Sequence, residues 1–277
     1  LRSQDYEIIL GVSSSQKIKE FKEHTVLFDL KNLDQIEKTL LELKPDLMIN
    51  PAAYTQVDKA EDEKELCELI NFKSVEVIVE TLEKIGSSLI HFSTDYVYGV
   101  SEKRPIVEDD SKKPLGIYAK TKLQADEAIE VLHSNYLILR TSWVYGKNGK
   151  NFVSTMLQLA QERKELKIVS DQVGAPTNAL TLAQAVFYIL KKTKAYFKDY
   201  KGVYNLCDAG ETTWFEFAAE IFRQAKKLDY NLAIENVYPI LTKDYPTKAK
   251  RPLNSRLDTN KIKSSFDLTL PQWDESL

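Results

Sequence analysis

At 277 residues, 43% of them hydrophobic, the chain is long enough to bury a full core, in one large domain or two interlocked ones. A formal net charge of -3 and a pI near 5.8, with no Lys/Arg run interleaved with aromatics, argue against a nucleic-acid surface, while local arginine clusters still suit a small anionic ligand. Cys67 and Cys207 stand in apolar surroundings far apart in sequence, which predicts free thiols in a reducing compartment; His24, His91 and His133 share no ligand spacing, so no metal site is expected.

In chain order, apolar strands alternate with amphipathic helices. Residues 7–12 and 26–30 are short apolar segments suited to a parallel sheet, the second carrying Asp29 and Leu30 at its end. Leu33, Ile36, Leu40 and Leu43 follow a helical period that Pro45 ends, and residues 46–50 form the next strand. Small residues leave it: Ala52, Ala53, Tyr54 and Thr55 would let a flat ligand approach the backbone. A helix is expected over 58–71, with a solvated acidic face, and another over 73–85, closing at Gly86. No stretch is long and apolar enough to span a membrane and the N-terminus lacks a signal-peptide pattern, so the expected location is cytoplasmic.

Residues 89–98 then make a strand that is apolar at first and polar at its C-terminal end, where Ser93, Thr94 and Asp95 stand; open α/β sheets place their chemistry at that edge. After a proline-bounded loop over 105–114 comes a helix carrying Tyr118 and Lys122. Four-residue spacing stacks phenol and ammonium on one face, and the cation favours the phenolate, so the pair is suited to proton exchange with a carbinol oxygen. Tyr188 and Lys192 share the spacing but follow no Ser/Thr-bearing strand, and are read as one packed ring and one solvated amine.

Residues 136–145 read as a further buried strand with a polar tail from Arg140 to Trp143. Taken alone, Trp143 reads as a core residue sooner than as a pocket wall. A helix over 152–165, a strand over 166–170, a helix over 179–191, a strand over 202–207, an aromatic-rich helix over 212–227 and a strand over 237–241 complete the regular elements. Near the end, Arg251 and Arg256 bracket Asn254 and Ser255, a set suited to a diphosphate or sugar hydroxyls, or equally to plain surface arginines.

Together the segments 50–61, Ser93-Thr-Asp-Tyr-Val-Tyr98, Tyr118-Ala-Lys-Thr-Lys122, Arg140-Thr-Ser-Trp-Val-Tyr145, Asp171-Gln-Val-Gly-Ala-Pro-Thr177 and Arg251-Pro-Leu-Asn-Ser-Arg256 resemble the extended short-chain dehydrogenase/reductase superfamily, and within it the dTDP-4-dehydrorhamnose reductases. The resemblance implies an α/β fold, a Rossmann-type doubly wound parallel sheet with a smaller C-terminal substrate lobe. Residues 1–170 would form the NAD(P)-binding part and 171–277 mainly the substrate lobe, interleaved with it. It implies reduction of the C4 carbonyl of dTDP-4-dehydro-L-rhamnose by NADPH, with NADH as an alternative, and makes Tyr118 the proton donor, Lys122 the ribose ligand and Thr94 the third catalytic group. Asp29, Leu30, Ala53, Tyr54, Thr55 and Phe92 would border the cofactor. Thr94, Asp95 and Trp143 would hold the sugar, with Val57 and Tyr96 close by and Arg251, Asn254 and Arg256 as further candidates.

The superfamily opens with a strand and a glycine-rich turn that seats the cofactor pyrophosphate; this sequence begins after it, and about 20 residues of a first βα unit are expected to be missing from it. The tail likewise stops where similar proteins add a helix. Gly11, followed by Ser13, Ser14 and Ser15, occupies the place of an acidic ribose ligand, so NADPH should be tolerated. The partner implied is the dTDP-sugar; a homodimer is left open. A sugar-nucleotide epimerase or dehydratase shares the catalytic residues, and a regulatory subunit resembling methionine adenosyltransferase β is the alternative of another class.

Overall fold

The structure, a computed structural model, describes residues 6–14, 24–99 and 104–277; Ser15 lies outside them. The chain forms two compact units, each assembled from separate stretches: Leu1–Phe92, Gly116–Ile138 and Leu190–Gly202 in the first, Ser93–Leu115, Leu139–Ile189 and Val203–Leu277 in the second.

In the first unit, strand β1 (Leu10–Val12) pairs in parallel with β2 (Thr25–Leu27). Strand β3 (Leu47–Asn50) pairs in parallel with β4 (Ser88–Thr94), in register from Leu47 with Ser88 to Asn50 with His91, and β5 spans Tyr136–Thr141. The parallel α/β architecture expected from the alternating pattern is therefore present. Helix α1 (Leu33–Leu43) starts where the Asn32 side chain accepts the Gln35 amide, and α2 (Ser74–Ile85) ends at Gly86, whose φ of 75° lies in the left-handed region that glycine adopts without strain. Ile78, Val79 and Leu82 of α2 are completely buried, as are Leu89 and Ile90 of β4 and Leu137 and Ile138 of β5. The apolar strand runs are thus covered by helix, as a parallel sheet requires.

Between β3 and α2 the expected single helix is broken. Helical turns at Val57–Ala60 and Lys64–Glu68 are followed by a π-helical turn, Leu69–Lys73. The cause is Asn71: its side chain turns inward to bond the backbone of Tyr54, and the wider turn accommodates that polar group within an apolar face. Helix α3 (Ile117–Leu132) then carries Tyr118 and Lys122. Glu61 Oε1 accepts the Ile117 amide at 2.8 Å, so a carboxylate satisfies one of the open donors at this helix start.

The second unit holds a parallel pair, Glu165–Val169 with Asn236–Ile240, and a three-stranded sheet in the order Thr212–Thr213, Val173–Gly174, Asn254–Ser255. Helices Phe152–Glu162 and Trp214–Lys227, each opened by a capping box, pack Met156, Ala160, Phe217 and Phe222 into one core. Arg140 is wholly buried: one guanidinium nitrogen donates to Tyr98 Oη at 2.9 Å and to the Glu108 carbonyl at 3.2 Å. Glu108 in turn accepts the Asn205 amide at 2.8 Å, which ties the loop before α3 into this unit.

The strands expected over 7–12, 26–30 and 202–207 are trimmed to Leu10–Val12, Thr25–Leu27 and Gly202–Asn205, and the two longest expected strands are cut further. Residues 89–98 form a strand only to Thr94, whose hydroxyl accepts the Tyr96 amide at 3.2 Å and turns the chain into a single 3-10 turn, Asp95–Val97. Residues 136–145 divide into β5 and the pair Val144–Tyr145, because Trp143 takes a positive φ of 47°. A bulky residue held there costs about 1 kcal/mol, which its packing must offset.

Candidate active site

In the first unit buried polar groups gather around Lys122. Its Nζ donates to the Phe92 carbonyl at 2.7 Å and lies 2.8 Å from His91 Nε2; the side chain is fully buried on the α3 face toward β4. Burial lowers this amine to about 8, against the pull of Asp126 and Cys67 in favour of its charge. His91, also fully buried, is held well below the usual imidazole range by the same cause, and by Lys122. Tyr118, one turn before Lys122, is half-buried and packs on the cluster of Tyr54, Ala60 and Cys67.

Asn71 stitches this group to the segment after β3. The Tyr54 amide donates to Asn71 Oδ1 at 2.7 Å and Asn71 Nδ2 donates to the Tyr54 carbonyl at 3.1 Å, as one strand would to another. The same nitrogen reaches Thr121 Oγ1 at 3.3 Å, and Thr121 donates to the Tyr118 carbonyl at 3.0 Å. The Tyr54 hydroxyl donates to Glu63 and is raised to about 12, chiefly by burial, so it stays protonated. Tyr54, Phe92, Tyr118 and Lys122 are thus brought together, with Ala53, Thr55 and Val57 flanking Tyr54 along the chain. Asp29 and Leu30 follow β2, where Asp29 Oδ1 accepts the Lys31 amide at 3.1 Å.

In the second unit Thr94, Asp95 and Trp143 are linked through Ser255 and Gly174. Thr94 Oγ1 donates to Asp95 Oδ1 at 3.1 Å, and Asp95 is 3% exposed. Burial raises this carboxyl to about 7, although the hydroxyls of Ser255 and Thr94 pull it back. Ser255 pairs in register with Gly174, and a Cβ at Gly174 would lie 2.8 Å from Trp143 Cε2 and 3.1 Å from Ser255 Cβ. Only a glycine lets the indole come this close. Trp143 stacks on Trp214 with centroids 3.7 Å apart and planes 15° from parallel, and Trp214 Nε1 donates to Gln172 at 3.1 Å. Asn254 Oδ1 accepts from Arg256 Nε at 2.8 Å, and Arg256 reaches Glu211 at 3.3 Å; Arg251 donates to the Ala249 carbonyl at 3.5 Å.

The residues that spacing did not single out are the supporting ones: Asn50, His91 and Asn71 around Lys122, Glu61 at the start of α3, and Gly174 and Trp214 behind Trp143. A histidine and an asparagine inside apolar runs were the available signal, since buried polar groups need partners. The decoy pair separates as expected in kind but not in detail. Tyr188 is 59% exposed, so its ring is not packed in the core.

The RmlD substrate binding domain family matches residues 9–277. The dTDP-4-dehydrorhamnose reductase of Escherichia coli (strain K12) is 42% identical over 245 residues, 88% of this chain and 82% of that protein. The spore coat polysaccharide biosynthesis protein SpsK of Bacillus subtilis is 35% identical over 235 residues, 84% of this chain and 78% of that one. Among solved structures, the dTDP-4-dehydrorhamnose reductase of Bacillus anthracis in complex with NADP superposes with a TM-score of 0.84 at 31% identity, covering 97% of this chain and 95% of that one. With the family match running over residues 9–277 and relatives this similar over most of its length, the chain belongs to the dTDP-4-dehydrorhamnose reductase family.

Proposed function

We propose that the protein reduces the C4 carbonyl of dTDP-4-dehydro-L-rhamnose with NADPH to give dTDP-L-rhamnose, a precursor for cell-surface polysaccharide, in the cytoplasm. The observation that carries this reading is the buried Lys122, one helical turn from Tyr118 and anchored to the end of β4. Its surroundings fit a nicotinamide nucleotide: with Phe92 and His91 engaging two of its positions, Nζ keeps one further donor for a ribose hydroxyl. The Asn71 clamp on Tyr54 also holds small neighbours, Ala53 and Thr55, beside the chain end of β3, where a flat ring can lie close to backbone. When bound, NADPH supplies the hydride to C4.

The chain's own residues do the rest. Tyr118 gives its proton to the C4 oxygen as the carbonyl becomes a carbinol, and Lys122 favours the phenolate left behind. Thr94 is the third catalytic group on this reading; its hydroxyl accepts from Tyr96 and turns its single proton from Asp95 to the bound sugar. Trp143, backed by Trp214, offers a flat apolar wall to the deoxysugar. Arg251, Asn254 and Arg256 suit the diphosphate, Asp29 and Leu30 the adenine, and Val57 and Tyr96 the sugar rim. On this reading residues 1–170 serve mainly the cofactor and 171–277 mainly the sugar nucleotide, and the acidic charge balance speaks against nucleic acid as a partner.

The test is stoichiometry. Purified full-length protein given dTDP-4-dehydro-L-rhamnose should consume one NADPH for each dTDP-L-rhamnose formed. Sugar conversion without net loss of NADPH would point instead to an epimerase or dehydratase.

A further inference from the structure

Lys122 rests on a short line of buried polar groups. Its Nζ lies 2.8 Å from His91 Nε2, and His91 Nδ1 lies 3.3 Å from Asn50 Nδ2. Asn50 and Lys122 are 2% exposed and His91 is completely buried, so water cannot substitute for any of these bonds. The orientation of Asn50 is set from its other side: Oδ1 accepts the Ala52 amide at 3.2 Å, which leaves Nδ2, a donor, facing the imidazole. His91 Nδ1 is then the acceptor, and the imidazole proton sits on Nε2. That N–H is aimed at Lys122, which accepts it only as an uncharged amine. A charged ammonium needs Nε2 bare, and the imidazole proton then sits on Nδ1 against the Asn50 donor.

We infer that Asn50 and His91 are positioning residues that couple the imidazole tautomer to the charge on Lys122, so that the lysine exchanges its proton readily while its Nζ stays fixed. This deepens the reading above, in which Lys122 serves Tyr118. The other groups facing the amine are Asp126 on its own helix and Cys67 from the helical turn before Asn71, and both favour the ammonium; Tyr118 stands one turn before it. Against them work burial and the tautomer bias, and burial of His91 keeps the imidazole itself uncharged.

The tautomer is read directly by 15N spectroscopy of full-length protein without substrate. The chain has three histidines, so His91 is assigned by the signal lost in His91→Gln. The expected result is a proton on Nε2 at alkaline pH, shifting toward Nδ1 as pH falls through the Lys122 titration near 8. In Asn50→Asp the carboxylate accepts from Nδ1, so the Nδ1–H form should hold throughout and the Lys122 midpoint, followed on its ε carbon, should rise by about one pH unit or more. The alkaline limb of the kcat profile should move with it. A wild-type tautomer that ignores the lysine titration, or an Asn50→Asp midpoint left in place, would overturn the inference; if that variant does not fold, the wild-type tautomer still decides. Failure of the reductase reading would show separately, as absent NADPH oxidation with these spectra intact.

Discussion

Burial acts in opposite directions on two ionisable side chains, lowering Lys122 to about 8 and raising Asp95 to about 7. For Asp95 the folded-state value lies above the unfolded one. Its favourable contribution is therefore complete below about pH 4 and is lost as pH rises toward 7. Asp95→Asn should accordingly gain stability relative to wild type by about 2–4 kcal/mol between pH 4 and pH 8, read from urea unfolding at the two pH values. Lys122 has a depressed value, so its contribution is complete above about pH 10.4 and falls as pH drops through 8. At this scale Tyr118, Lys122, Thr94, Asp95 and Trp143 could be picked out as candidates, because a four-residue spacing and a strand turning polar at its end are local patterns. Asn50 and Asn71 were not. Their partners lie 41 and 17 residues away, and which distant group a buried amide meets is decided by the packing of strands and helices.

Among the elements, α3 carries both Tyr118 and Lys122. Glu61 caps it from a distant turn, so Glu61→Ala should cost about 1 kcal/mol of stability by the loss of the Ile117 bond, measured as a lowered urea midpoint. Trp214→Ala removes the ring behind Trp143. With a stack worth about 1 kcal/mol, the KM for the sugar nucleotide should rise about fivefold while that for NADPH holds. Gly174→Ala should raise the same KM by pushing the indole aside, because the added methyl meets Trp143 and Ser255 together. Periodicity and breaker residues located most helices and strands. They missed the π turn at Leu69–Lys73 and the break at Trp143, since each is imposed by a side chain's tertiary partner against a continuous apolar pattern.

For the molecule as a whole, the β-α-β alternation was enough to predict a parallel sheet with helices over it. The division into two compact units was harder to read, because the chain visits each unit three times and no linker composition marks the crossings. The candidate residues nonetheless divide between the units, with Tyr118 and Lys122 in one and Thr94, Asp95, Trp143, Trp214 and the arginines Arg251 and Arg256 in the other. The most direct test of the reactive pair is the single-turnover rate of NADPH oxidation by Tyr118→Phe beside wild type, with circular dichroism to establish that the variant is folded. Loss of the phenolic acid should slow the step by about 10²–10⁴-fold with the fold intact; a folded variant that turns over at the wild-type rate would contradict the assignment.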